Sequence, residues 1–132
     1  MRVPGVLAVL LVATPALAAN LGIFKNPAGS VQVRLTDCGT GLCGTIVSAN
    51  AKARADAAKA GQTKLIGMQL FREMSAEPAV AGEPRRWTGK VYVPDLDKTV
   101  SGKAELHGRT LSVTGCLVAG AFCKGQDWTR VK

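Results

Sequence analysis

Four groups of residues in this sequence have types and spacings that invite chemistry: the single histidine His107, the pair Asp95 and Asp97, Asp127 beside Trp128, and the cysteines Cys38, Cys43, Cys116 and Cys123. His107 precedes Gly108, which places it in a turn, and the sequence shows no orienting partner of the kind a general base requires. Asp95 and Asp97 belong to Pro94-Asp95-Leu96-Asp97-Lys98. Proline there pre-sets a turn and aspartate bonds its own backbone, whereas a calcium loop needs several more oxygen donors in register. For Asp127, ion pairing with Lys124 or Arg130 is the simplest role. Neither a G-x-S-x-G elbow nor a phosphate-cradling glycine loop occurs. No catalytic residue, metal ligand or cofactor is therefore assigned, and an enzymatic role is not expected.

The cysteines carry more information. Their even number suits oxidation in an exported chain. Three connectivities are open, and the spacing favours local pairing, because Cys38 to Cys43 and Cys116 to Cys123 each frame a glycine-containing segment able to turn a hairpin. Facing residues of adjacent strands lie about 4.5–5.5 Å apart, within reach of a disulfide. A zinc ribbon or a redox pair would want tighter knuckles or C-x-x-C.

Such residues must be held by something, and strand patterns dominate. In Ser30 to Thr36 the alternation is strict, with Val31, Val33 and Leu35 on one face. Further strands are read at Gly22 to Lys25, Thr45 to Ser48, Lys64 to Arg72, Arg86 to Val93, Thr99 to Leu106, Thr110 to Cys116 and Cys123 to Val131. Between them Ala49 to Gln62 is rich in Ala and Lys, with Asn50 as N-cap and Gly61 as stop. It shows no apolar stripe, and helix and loop stay equally open. About eight strands joined by short turns predict a small all-β antiparallel barrel, a closure that removes exposed edges.

The 132 residues allow one domain. Residues 1–18 combine Arg2, an apolar run from Val6 to Val12 and the A-x-A of Ala16-Leu17-Ala18, a secretory leader cleaved near Ala18. The barrel domain then runs over residues 19–132, and no later segment is apolar enough to span a bilayer. The full chain has 17 Lys and Arg against 9 Asp and Glu, and loss of Arg2 leaves a net +7. The basic residues are scattered and aromatics are few, which argues against nucleic acid. The partner class that fits the charge is an anionic envelope component.

Several runs together resemble one family: Leu42-Cys43-Gly44 with Ile46, Leu65-Ile66-Gly67, Trp87-x-Gly89-Lys90-x-Tyr92-x-Pro94-Asp95, Leu111-x-Val113-x-Gly115-Cys116, and Trp128-Thr129-Arg130-Val131. In order and spacing they resemble the DUF2147 proteins, across nearly all of the chain after the leader. The resemblance implies an exported, periplasmic lipocalin-like β-barrel and carries no established activity. By the lipocalin analogy, Gly22-Ile23-Phe24 opens the barrel with Phe24 where Trp is usual, and Arg130 lies over its face, with Trp128 completing the closure. Family members carry an Asp- and Asn-containing loop where this chain has Ala49 to Gln62.

The apolar set expected inside is Val31, Val33, Leu35, Ile46, Ile66, Met68, Leu70, Val91, Val93, Val100, Leu106, Leu111 and Val113. A barrel of this size either fills itself or holds one small apolar ligand. The leading expectation is a binding protein for a small hydrophobic or amphipathic molecule, with Met68, Leu70, Val91 and Val93 as lining and Trp87 and Tyr92 near the mouth. The alternative is a solidly packed envelope protein that works through its outer face.

Overall fold

The computed structural model describes Gly5, residues 20–118 and residues 121–132. The expected leader lies outside the described residues apart from Gly5. Eight strands follow in order: β1 (Asn20–Lys25), β2 (Val31–Cys38), β3 (Gly41–Ala49), β4 (Gln69–Ala76), β5 (Arg85–Val93), β6 (Lys98–His107), β7 (Thr110–Val118) and β8 (Ala121–Arg130). One helix, α1 (Ala51–Lys59), joins β3 to β4, and a 3-10 turn, Pro94–Leu96, joins β5 to β6. Each strand pairs antiparallel with the next, and β8 returns to β1, closing an all-β barrel. The β1–β8 seam is short: Phe24 pairs with Arg130 and Lys25 with Thr129. Backbone bonds between Ile23 and Val131 and Lys132 extend it.

Alternation sets what faces inward, since side chains along a strand change face at every residue. Trp87 pairs with Ala104 and Ala104 with Val113, and all three are buried. Phe24, Val33, Leu35, Leu42, Ile46, Trp87 and Leu111 are the largest fully enclosed side chains. The expected inward set holds for Val33, Leu35, Ile46, Leu70, Val100, Leu111 and Val113, while Val31, Met68, Val91, Val93 and Leu106 are half-buried.

Ile66 is a correction: it is 50% exposed. The strand read from Lys64 begins only at Gln69. Residues 65–68 form a turn instead, in which Met68 N donates to Leu65 O and Gly67 takes φ +90°. That turn sends Leu65 into the core and leaves Ile66 outside.

Strand β4 also breaks its own period. Phe71 pairs with Val91 and Arg72 with Lys90, but the next pairs are Ser75 with Thr88 and Ala76 with Trp87. Glu73 and Met74 thus share one partner position, a bulge in which Glu73 adopts φ +52°. The extra residue turns Met74 into the core.

Residues 51–59 are helical. Asn50 Oδ1 accepts from Ala53 N at 2.9 Å, capping the first turn, and the last turn ends at Ala60 before Gly61 at φ +85°. Its buried face is Ala53 and Ala57, an i, i+4 pair too small to register as an apolar stripe.

Candidate functional site

The residues expected to hold a ligand do not converge on one open mouth. Trp87 is 1% exposed and lies within the core, because it shares the inward face of β5 with Gly89 and Val91. Tyr92, five residues on, lies on the opposite face of β5 and is also buried, 6% exposed and part of the same apolar cluster. There the Arg72 guanidinium covers its ring at 4.2 Å, and its hydroxyl donates to Asp97 Oδ1 at 2.7 Å. Burial, and then the hydrogen bond to the Asp97 carboxylate, hold the Tyr92 phenol above its ordinary pKa. Leu70 is buried beside the β4 irregularity, and Met68, Val91 and Val93 are half-buried. The Trp87 indole Nε1 is buried without an acceptor among the described residues.

The barrel-closure group also differs in detail. Phe24 is 1% and Trp128 8% exposed. Arg130 stands opposite Phe24 in the ladder, but its guanidinium lies against Gly22 and its Nε donates to Lys132 O at 2.9 Å. A Cβ at Gly22 would come within 2.5 Å of that Nε, so the glycine makes room for the arginine. Cation–π contacts form elsewhere, from Arg72 to Tyr92 and from Arg85 to Trp87 at 4.8 Å.

Among the other titratable groups, Asp127 accepts from Ser112 Oγ at 2.8 Å rather than pairing with Lys124 or Arg130. His107 does have a partner, Glu105, at 2.9 Å. Glu105 also accepts from Arg86 at 2.8 Å, and Arg86 reaches Glu83. Hydrogen bonds from Arg86, and then from His107, hold the Glu105 carboxyl below its ordinary pKa. This chain is exposed, a surface network without a cavity beside it among the described hollows. No group of three His, Cys, Asp or Glu suited to a metal occurs among the described residues.

Both disulfides form as the spacing favours, Cys38 with Cys43 and Cys116 with Cys123. Cys116 and Cys123 face each other directly across the β7–β8 hairpin.

Hollows on the described surface include two beside the strands and the helix. One of about 370 Å³ lies over β3 and β4 and is lined by Cys38, Cys43, Arg72 and Glu73 among others. The second, of about 250 Å³, is lined by Arg54 and residues 62–66. Neither is lined by Trp87, Tyr92, Met68, Leu70, Val91 or Val93.

Topology sorts the remaining surface into two ends. In a closed up-and-down barrel the connections leaving odd-numbered strands emerge at one end and those leaving even-numbered strands at the other. The first end carries α1, the 65–68 turn, the 3-10 turn against which α1 packs, and the β7–β8 tip. Among the described residues, five of the six exposed large hydrophobics sit there: Ile66, Leu96, Leu117, Val118 and Phe122, with Val80 at the opposite end. The same end is basic. Its helix segment bears Lys52, Arg54, Lys59 and Lys64, and its strand ends bear Lys25, Lys98 and Lys124. Against these stand only Asp56, Asp95 and Asp97. At the opposite end Arg85, Arg86, Arg109, Arg130 and Lys132 are nearly balanced by Asp37, Glu77, Glu83 and Glu105. The sequence reading missed this end, although an uncharged run between Cys116 and Cys123 was a usable signal.

Fold and surface define a small, disulfide-stapled, closed up-and-down β-barrel with one apolar and basic end. The family model for an uncharacterized protein conserved in bacteria, DUF2147, matches residues 22–130, and the chain belongs to this family. Comparison with curated proteins and with solved structures finds no match. The disulfides and the bacterial family are consistent with an exported protein. No helix among the described residues is long and apolar enough to cross a membrane.

Proposed function

We propose that this protein is an exported, non-catalytic interaction module of the bacterial envelope, whose barrel is a packed scaffold and whose outer surface binds an anionic envelope component. The observation that carries the reading is the filling of the interior: Trp87, Phe24, Leu35, Leu42, Ile46, Leu111 and Val33 are each no more than 2% exposed. Side chains enclosed in this way support a filled interior, which leaves recognition to the outer face. The net charge of +7 after loss of the leader supplies long-range attraction to an anionic partner, which salt screens over about 8–10 Å.

The test is binding of the purified, disulfide-bonded protein to isolated bacterial envelope fragments at low and high salt. Salt-reversible retention is expected, and absent or salt-independent retention overturns the reading.

A second reading, a carrier of a small amphipathic molecule, has one observation in its favour. Trp87 Nε1 is a buried donor without an acceptor among the described residues, and such a donor costs about 1–3 kcal/mol unless something accepts from it. Native mass spectrometry of protein isolated from its own compartment discriminates the two, since a stoichiometric adduct of lipid-like mass would favour the carrier.

A further inference from the structure

We propose that the helix-bearing end of the barrel docks on an anionic lipid bilayer, with the disulfide-closed β7–β8 tip inserting its apolar side chains at the level of the headgroups. This names the partner of the surface proposed above and rests on that reading.

Three independent features coincide at this end. Leu117 and Val118 are each 56% exposed and Phe122 is 79% exposed, a cluster at one hairpin tip rather than scattered single residues. The turns at the same end of the barrel add Ile66 and Leu96, 50% and 52% exposed. A barrel end that carries both exposed apolar side chains and an excess of positive charge is the arrangement that binds the boundary between headgroups and acyl chains of an anionic membrane. Lys124 follows the tip, and Lys64 and Lys98 flank the other two turns of this end. Charge and apolar exposure therefore select the same partner. A soluble protein partner would be served by the apolar patch alone and a polyanion by the charge alone.

The bond between Cys116 and Cys123 closes the hairpin at the base of the exposed cluster. Phe122 holds φ +55°, a backbone conformation uncommon for a bulky residue, and its ring is given to solvent rather than to the core. Residues 121–127 of β8 are exposed throughout, so the hairpin stands clear of the barrel wall that the β1–β8 seam completes lower down.

The experiment is co-sedimentation of the purified disulfide-bonded protein with vesicles of phosphatidylglycerol and phosphatidylcholine, and with phosphatidylcholine alone. Binding to the anionic vesicles that high salt reverses is expected. The triple substitution L117S/V118S/F122S should weaken it about tenfold or more. Each of Lys64→Gln, Lys98→Gln and Lys124→Gln should weaken it about fivefold. Val80→Ser, at the opposite end, should leave it unchanged. All these positions are exposed, and near-UV circular dichroism checks that each variant keeps its fold.

Anionic-vesicle binding that survives the triple substitution overturns the role of the tip. Retention on envelope fragments without binding to vesicles overturns the lipid assignment, points to a cell-wall polymer or protein, and leaves the proposed function standing. Binding to neither overturns both.

Discussion

Gly89 of β5 lies directly beneath the backbone of Glu73 on β4, where any Cβ would run into the Glu73 carbonyl and the Met74 Cα. The β4 bulge, with Glu73 at φ +52°, presses the chain down onto that position. Only glycine lets the bulge sit there, and the bulge is what turns Met74 inward.

Gly89→Ala is therefore expected to destabilise the barrel by about 1–3 kcal/mol, the range for overpacking a tight site. Denaturant unfolding would measure it. A stability equal to that of the unsubstituted protein would mean the bulge relaxes at no cost.

Tyr92 predicts a response at alkaline pH. Its folded-state pKa is raised above the ordinary value of 10.0, by burial and by the bond to Asp97. A raised folded pKa contributes stability that is complete below the unfolded pKa and is lost as pH rises through the folded one. Stability should fall as pH climbs beyond about 10. Tyr92→Phe should flatten that fall while costing about 1 kcal/mol at neutral pH through loss of the hydrogen bond. Thermal unfolding as a function of pH reads both effects.

Glu105 predicts the opposite limb. Arg86 and His107 hold its carboxyl below the ordinary 4.5. A depressed folded pKa contributes stability present above the unfolded value and lost as pH falls through the folded one. Glu105→Gln should reduce the acid-side loss of stability below about pH 4.5. The network is exposed, so added salt should shrink the difference between the two proteins.

The two disulfides close loops of only a few residues. Loop-closure entropy for the Cys116–Cys123 bridge amounts to about 2–3 kcal/mol. Cys116→Ser with Cys123→Ser should lower the melting temperature accordingly. The core around Trp87 should stay intact, seen as unchanged tryptophan emission, because the bridge sits at the hairpin tip. A red-shifted emission would show that the bridge also holds the barrel wall.

Much of this architecture is legible in the sequence, for reasons that are local. Strict alternation at Ser30 to Thr36 and Thr99 to Leu106 marks strands with one buried face, since a one-residue slip would move every apolar side chain to solvent. Cysteines six and eight positions apart, counted inclusively, report hairpins whose ends must meet. Asn50 and Gly61 marked the bounds of α1, but its buried Ala53 and Ala57 are so small that only packing reveals the face.

What the sequence carried by itself was thus about eight strands, a preference for local pairing of the cysteines and a resemblance to the family. Tertiary structure decided where those strands break and what their ends bring together. The β4 bulge and the 65–68 turn arise from contacts with β3 and β5, so Met74 faces the core and Ile66 faces solvent against the pattern. Along the chain Lys25, Lys64, Lys98 and Lys124 are far apart. An up-and-down barrel returns the chain to the same end at every second connection, and it places them at the end that also carries Ile66, Leu96 and the exposed side chains of the β7–β8 hairpin.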